Sequence, residues 1–193
     1  DVQNVRITGG GTIRMADWGG EDVSPWEIID PNHGAGCAHT IHIAPIFCNS
    51  VTNIEITDIK ILRTNNWNLS NTFVKNAFYA NIHFGEPNCK NGDGIGMTNC
   101  ENMLIVRNRM FSSDDAFTIN SIPDDPRKFA EWAMPTVEVE HFATRNVELA
   151  YNNMRGGLGI VFIAWGSNME DSSKAEIQNV VAYNNVFAGF GQD

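Results

Sequence analysis

The chain has 193 residues, 42% of them apolar, and a formal net charge of -10 with a pI near 4.8. This length and apolar content predict one domain with a packed core. The negative charge and the lack of any lysine and arginine run argue against nucleic acid and against an anionic membrane surface as partners. No apolar run approaches the roughly 18 residues that a membrane-spanning helix needs.

The cysteines favour an exported, secreted protein. The chain opens with Asp1 rather than with methionine or a signal peptide, so we expect a processed or excised segment. One or two disulfides are possible, and buried free thiols are the alternative. The four cysteines are Cys37, Cys48, Cys89 and Cys100. Asn68-Leu69-Ser70 is a glycosylation sequon.

A degenerate phrase recurs along the chain: an asparagine, an apolar or small residue, one spacer, and then an apolar residue that begins an alternation. Its asparagines are Asn4, Asn53, Asn76, Asn102, Asn146 and Asn179. The alternation predicts strands that face a narrow interior, and asparagine at each bend tolerates a left-handed backbone and bonds backbone groups. The intervals of 23 and 26 residues match single windings of a β-solenoid, the first interval of 49 matches two windings, and those of 44 and 33 fit one winding with an extra loop.

Two stretches interrupt the pattern and are expected to be loops: a side loop near residues 14–41 and an insertion near 122–142. Before the side loop, the run Gly9-Gly10-Gly11 permits a tight bend between two strands. We interpret residues 1–193 as a single all-β domain, a parallel β-helix. We expect it to belong to a longer helix, because open ends would be free to pair.

One stretch, from Asn91 to Asn120, carries the strongest chemical signal. Asp93 stands beside glycines, and the pair Asp114 and Asp115 follows 21 and 22 residues later, an interval of about one winding. Stacking Asp93 on Asp115 also stacks the apolar residues that follow each of them, and it gathers three carboxyl groups at one corner. Like charges this close force at least one group to hold its proton near neutral pH, which is what a general acid requires.

The period of two raises a question about these acids. Alternate side chains of a strand share a face, so Asp115 would face inward with Phe117, and Asp93 would face inward with Ile95. They must therefore lie at the bend before the strand, or be buried with hydrogen-bond partners that shift their pKa values. Solvated turn aspartates are the structural alternative.

Aromatic and histidine side chains supply further candidates. Trp165 follows a glycine bend and could stack on a sugar beside a cleft, whereas Trp67 is expected to pack on the coil. The pair His39 and His42 has a strand spacing that puts the two side chains on opposite faces, so no metal site is predicted.

Several motifs resemble glycoside hydrolase family 28, the polygalacturonase group of the pectin-lyase-like superfamily. They are the Asn-x-Asp-Gly motif at 91–94, the Asn-x-x-Ile strand at 102–105 and the paired aspartates at 114–115, with a Val-x-Ile-x-Gly-x-Gly-x-Ile-like segment at 4–13 and a Trp-x-Leu strand at 67–69. The resemblance covers roughly residues 4 to 120.

This resemblance implies a right-handed, single-stranded parallel β-helix that hydrolyses a glycosidic bond with inversion and without a metal or other cofactor. It implies that Asp114 is the general acid, while Asp93 and Asp115 activate the attacking water. Inversion needs carboxyl groups roughly 6.5 to 9.5 Å apart. Asn91, Arg155 and Trp165 are the candidate substrate-binding residues, and a monomer acting on a polysaccharide or oligosaccharide is expected.

The chain departs from this family after Gly157. Gly157-Leu158-Gly159 stands where the family has Gly-His-Gly, and no Arg-x-Lys pair follows it. Because an acidic sugar would need such cations, a neutral polysaccharide fits better, and Ile160 to Asn168 is closer to the dextranase-like hydrolases. The alternatives are a Ca²⁺-dependent polysaccharide lyase on the same scaffold and a non-catalytic carbohydrate-binding solenoid.

Overall fold

The computed structural model describes residues 2–15, 44–64, 67–86, 92–121, 143–164 and 176–189. These ranges contain 17 β-strands and no helix, and all of the strands pair in parallel within three sheets. No helix in the described ranges therefore has the length and apolar character that a membrane crossing requires. The predicted side loop and insertion, with Cys37, Cys89 and His39, lie outside these ranges almost entirely.

Each sheet collects every third strand of the chain. Sheet A is formed by β1 (Val2–Ile7), β4 (Val51–Thr57), β7 (Lys75–Ala80), β10 (Glu101–Val106), β13 (Thr144–Ala150) and β16 (Ile177–Tyr183). Sheet B is formed by β2 (Thr12–Arg14), β5 (Lys60–Leu62), β8 (His83–Gly85), β11 (Arg109–Phe111), β14 (Asn153–Gly156) and β17 (Val186–Gly189). Sheet C is formed by β3 (Ile46–Asn49), β6 (Leu69–Thr72), β9 (Ile95–Thr98), β12 (Asp115–Ser121) and β15 (Leu158–Ala164).

This strand order confirms the predicted parallel β-helix. The chain passes through sheets A, B and C in turn and then pairs with its own previous winding, so consecutive windings lie about 4.8 Å apart. The first interval of the asparagine phrase was predicted to hold two windings, and this is wrong. Strand β1 pairs directly with β4, with Val5 opposite Ile54, so the 49 residues form one winding that carries the long stretch 16–43.

The core consists of apolar rows that run through the windings. In sheet C, Leu69 pairs with Ile95, Ile95 with Phe117, and Met97 with Ile119, and all five side chains are fully buried. Sheets A and B contribute equivalent rows, so each buried side chain packs on the same position of its neighbouring winding.

The six asparagines of the repeated phrase form an exposed ladder on sheet A. Each has a left-handed backbone, with φ between 52° and 60°, as predicted. However, each lies inside its strand rather than at a bend between strands, and its side chain bonds the neighbouring asparagine rather than the backbone. The Nδ2 of each of the five asparagines after Asn4 donates to the Oδ1 of the asparagine on the preceding winding at 2.9 to 3.1 Å.

A second, buried ladder occupies the turn from sheet A to sheet B, and the sequence analysis missed it. Asn108, Asn152 and Asn185 donate through Nδ2 and accept backbone N–H groups through Oδ1, at 2.8 to 3.2 Å. The chain repeats asparagine six residues after Asn102 and Asn146, which is the signal that could have revealed it. Both ladders join adjacent windings because stacked amides satisfy one another, the exposed one within sheet A and the buried one at the turn to sheet B.

The described cysteines, Cys48 and Cys100, are buried free thiols. Burial raises the pKa of Cys48 to about 11 and that of Cys100 to about 12, so both remain protonated. The predicted disulfides therefore do not involve these two residues.

We predict that Asn102→Ala, in the middle of the exposed ladder, lowers the free energy of unfolding by about 1–3 kcal/mol. Alanine loses the hydrogen bonds to Asn76 and Asn146 and must also adopt a left-handed backbone, here with φ of 58°. The matched control is Asn102→Gly, which loses the same bonds without backbone strain and should cost less. Urea unfolding measures both, and an alanine variant as stable as the parent chain would contradict the role of the ladder.

Candidate active site

The stacking predicted for the acidic stretch is confirmed. Phe117 pairs with Ile95 on the winding below, which places Asp115, the first residue of β12, over Asp93 in the turn before β9. A hydrogen bond joins the two backbone segments next to these acids, since the amide of Gly94 donates to the carbonyl of Asp115 at 2.8 Å. The interval of 22 residues is thus one complete winding.

Two glycines allow the backbone segments at this corner to approach closely. A Cβ added at Gly94 would overlap the sulfur of Met110 and the carbonyl of Ala116, and one added at Gly156 would overlap the hydroxyl of Ser112. Glycine after Asp93 is therefore required by packing. The motif that contains it places the carboxyl group against the neighbouring winding.

The backbone of Asp114 is held by the winding above it. Its carbonyl accepts hydrogen bonds from the amides of Gly157 and Leu158, at 3.1 and 3.3 Å, and from the hydroxyl of Ser112 at 3.3 Å. The position of this aspartate thus depends on the pairing of adjacent windings as well as on its own turn.

The three side chains converge. One carboxyl oxygen from each of Asp93, Asp114 and Asp115 lies within 4.8 Å of those of the other two. Asp93 is 6% exposed and Asp115 is 9% exposed, while Asp114 is partly exposed. The alternative of solvated turn aspartates is therefore wrong for the two stacked residues, because they are buried.

Burial leaves polar atoms without compensation. The Oδ1 atoms of Asp93 and Asp115 have no hydrogen-bond partner in the part of the chain that the structure describes. A buried carboxylate oxygen without a partner is costly, and burial outweighs the backbone hydrogen bonds that reach Asp93, so these groups favour the protonated form. Burial was expected to bring hydrogen-bond partners, but within the described residues neither of these two Oδ1 atoms has one.

All three pKa values are raised. Burial raises the pKa of Asp93 to about 8, and the charges of Asp115 and Asp114 add to this effect. Burial, followed by the charge of Asp114, raises the pKa of Asp115 to about 6, and burial raises that of Asp114. The prediction that one acid holds its proton near neutral pH is consistent with these directions, but burial contributes more than the like charges do, and the strongest effect falls on Asp93 rather than on Asp114.

Asn68, directly below Asp93, is a supporting residue that the sequence analysis did not identify. Its backbone amide and its side-chain Nδ2 both donate to the carbonyl of Asp93, at 2.9 and 2.7 Å. It is 1% exposed, so the sequon asparagine is part of the interior beneath the acids. The signal for its position was the stacking of Leu69 under Ile95.

Of the three predicted substrate-binding residues, Arg155 is the one that lies within the described ranges. Arg155 lies on the outer face of sheet B with its guanidinium 6.0 Å from the ring centre of Phe111, and no ion pair joins it to the three acids within the described ranges. Asn91 and Trp165 lie outside the described residues. Trp67 is partly buried.

The carboxyl groups come close enough to share a proton or a cation, because one oxygen of each lies within 4.8 Å of those of the other two. The gap of roughly 6.5 to 9.5 Å for inversion separates whole carboxyl groups rather than their nearest oxygens. The idea that one winding plus a side-chain offset supplies that gap stays a prediction.

We predict that Asp93→Asn stabilises the protein at alkaline pH. The folded chain keeps this proton up to about pH 8, whereas an ordinary aspartate loses it near 3.8, so the free energy of unfolding falls as pH rises between those values and is lowest above 8. The neutral amide removes this loss. We expect the variant to gain up to a few kcal/mol over the parent at pH 9, and much less at pH 4.

The matched control is Asp58→Asn, at an exposed aspartate in the turn between β4 and β5. Urea unfolding from pH 4 to 9 should show a pH-dependent difference from the parent chain for Asp93→Asn alone. A difference for Asp93→Asn that does not grow with pH would contradict the raised pKa.

Comparison of the chain with protein-family models, with curated proteins and with solved structures found no match. Any function must therefore be argued from the geometry and charge of the three acids.

Proposed function

We propose that this protein is a secreted, monomeric glycoside hydrolase that cleaves a polysaccharide by general acid and base catalysis with Asp93, Asp114 and Asp115. The observation that carries the proposal is the convergence of three carboxyl oxygens within 4.8 Å, in a setting that raises every pKa. A raised pKa is what keeps a carboxyl group able to donate a proton at neutral pH. The resemblance of the motifs to glycoside hydrolase family 28 points to the same chemistry.

Exposure supports the choice of the acid. Asp114 is the most accessible of the three carboxyl groups, so it is the one that can reach the oxygen of a glycosidic bond. In the proposed step it gives its proton to the leaving oxygen, while a water molecule attacks the anomeric carbon and loses a proton to a carboxylate. The bond between that carbon and the leaving oxygen breaks, and the products are two shorter sugar chains.

The two buried acids have different roles at neutral pH. Asp115, with a pKa of about 6, is mostly ionised at pH 7 and can accept the proton of the water. Asp93, with a pKa of about 8, holds a proton there, so it orients the water rather than deprotonating it. Because the three groups interact strongly they titrate as a unit, and a proton taken up by Asp115 can return to Asp114 after product release.

Burial also supports a water molecule as the nucleophile, and hence inversion. A retaining mechanism would need the anomeric carbon to contact a carboxylate directly, and Asp93 and Asp115 are almost fully covered. Water is small enough to approach groups that a sugar ring cannot. The nearest oxygens of the three acids lie within 4.8 Å, which leaves little room for a water between them. Rotation of the side chains can lengthen that distance more readily than it can uncover a buried group.

A Ca²⁺-dependent lyase is the second candidate, and the same cluster supports it. Three carboxyl oxygens within 4.8 Å form a ligand set of the type that Ca²⁺ prefers. A bound cation would favour the ionised acids and displace the shared proton. The lyase would produce unsaturated sugars that absorb ultraviolet light and would need the cation, whereas the hydrolase would not.

We predict that Asp114→Asn reduces turnover by about 10²–10⁴-fold and leaves the unfolding free energy nearly unchanged. The assay measures new reducing ends and unsaturated products on a panel of neutral and uronate-containing polysaccharides, in parallel with and without a chelator. Proton NMR of the first product should show inverted anomeric configuration. The matched control is Asp58→Asn, which alters an exposed aspartate away from the cluster and should keep full activity.

Each alternative has its own outcome in this assay. Loss of activity with the chelator, together with unsaturated products, would support the lyase. Binding of a glycan without new reducing ends would support a non-catalytic solenoid. An Asp114→Asn variant as active as the parent would reject Asp114 as the acid.

A further inference from the structure

The outer face of sheet B carries a row of cations. Lys60 pairs with His83, and His83 pairs with Arg109, on three consecutive windings. The central residues of these strands point into the core, so these three side chains share the outer face. His83 lies directly between Lys60 and Arg109, whose charges disfavour its imidazolium, so an anion at this row would be favourable.

Sheet A shows that the chain pairs its cations elsewhere. There Arg6 contacts Glu55 at 3.2 Å and Arg145 contacts Glu101 at 3.0 Å, each across adjacent windings. On sheet B, by contrast, Lys60 and Arg109 have no ion pair among the described residues. Among the described residues, the two arginines of sheet A are thus paired with acids on adjacent windings, whereas Lys60 and Arg109 of sheet B are not.

The cations line an open groove of about 510 Å³. Its walls come from β5, β8, β11 and β14, so its long axis follows the solenoid axis for about 14 Å. Arg155 and Phe111 form one side, with the guanidinium 6.0 Å from the ring centre. Glu86 is the acid that lines it, and Glu86 is already paired with Arg14 at 3.0 Å.

The groove has positive character even though the chain has a net charge of -10. Burial lowers the pKa of His83, and the nearby charges of Arg109 and Lys60 lower it further, while Glu86 acts in the opposite direction. A ligand that brings negative charge to this row would relieve the repulsion. Because the row is linear and crosses several windings, a linear polyanion contacts more of it than a single small anion does.

We propose that this groove of sheet B binds an anionic polysaccharide, through carboxylate or sulfate groups spaced along a linear sugar chain. The site does not include Asp93, Asp114 or Asp115, and the proposal does not depend on the hydrolase activity. Amphipathic sugar rings can pack against Phe111 while Lys60 and Arg109 bind their anionic substituents. Nucleic acid is the competing occupant and an outcome of the test, and the lack of any lysine and arginine run argues against it.

The test compares two double variants by calorimetry on the full chain. Lys60→Gln with Arg109→Gln removes two cations from the groove. Arg6→Gln with Arg145→Gln removes two cations from sheet A, so both variants have the same net charge. The ligands are heparin, polygalacturonate and neutral dextran, and a single-stranded DNA serves as the competing polyanion.

We expect the parent chain to bind heparin or polygalacturonate and not dextran. Binding of polygalacturonate, whose anionic groups are all carboxylates, would show that carboxylate is sufficient, and binding of heparin alone would show that it is not. The groove variant should bind at least about tenfold more weakly, and the sheet A variant should stay within about twofold of the parent. Equal losses in the two variants, binding of dextran as tight as that of the anionic chains, no binding of either anionic chain, or equal affinity for the DNA would each overturn the proposal.

A second measurement keeps the proposal testable should the groove variant fail to fold. In the parent chain, saturation with the anionic polysaccharide should raise the pKa of His83, followed by NMR of its ring protons, because a nearby negative charge stabilises the imidazolium. An unchanged pKa at saturation would reject contact with the row. The Asp114→Asn variant should bind the anionic polysaccharide as tightly as the parent protein does. Failure of the hydrolase assignment and failure of the groove assignment therefore give different results.

Discussion

Parallel pairing in constant register between successive windings is the constraint on which the rest of this structure depends. It places each side chain about 4.8 Å from the side chain at the same position of the next winding. Leu69, Ile95 and Phe117 follow one another in this way through the core. A residue in this fold is therefore surrounded by its counterparts one winding away, and the stability of each row depends on whether its members attract or repel.

Rows of different chemistry respond differently to the same geometry. Apolar residues gain burial, and asparagines gain hydrogen bonds because an amide both donates and accepts, as the ladder through Asn76 and Asn102 shows. Stacked carboxyl groups can only repel unless a proton or a cation lies between them. Asp115 over Asp93 is such a row, and its raised pKa values are the consequence of burial added to repulsion. At the proposed catalytic site, the stacking of like side chains on adjacent windings is thus electrostatically unfavourable.

A second row, on the outer face of sheet B, carries positive charge that no acid of the described residues pairs with at Lys60 and Arg109. Lys60, His83 and Arg109 stack without an acid between them, whereas Arg145 on sheet A meets Glu101. A protein with a net charge of -10 has acids enough to pair these cations, yet does not do so within the described residues. This contrast is the basis for assigning an anionic ligand to that face. The substrate expected from the segment after Gly157 is a neutral polysaccharide, so the two ligands differ in charge.

Much of the fold could be predicted because repeated asparagine phrases and period-two alternation mark the windings directly. The 22-residue interval from Asp93 to Asp115 was sufficient to align the acids, since each is followed by apolar residues that stack. The number of windings before Asn53 could not be predicted, because a long interval can hold either a second winding or a loop. Burial at the acids, the support from Asn68 and the sheet B row depend on which faces meet in three dimensions, and a local pattern does not contain that information.

The most direct measurement of the central claim is a ¹³C NMR titration of the aspartate carboxyl carbons in the parent chain. The stacked, buried arrangement predicts that Asp93 titrates near pH 8 and Asp115 near pH 6, with the signals of the three acids changing together. Independent titration of all three near the ordinary value of 3.8 would contradict it, because it would mean that adjacent windings do not bring these carboxyl groups together.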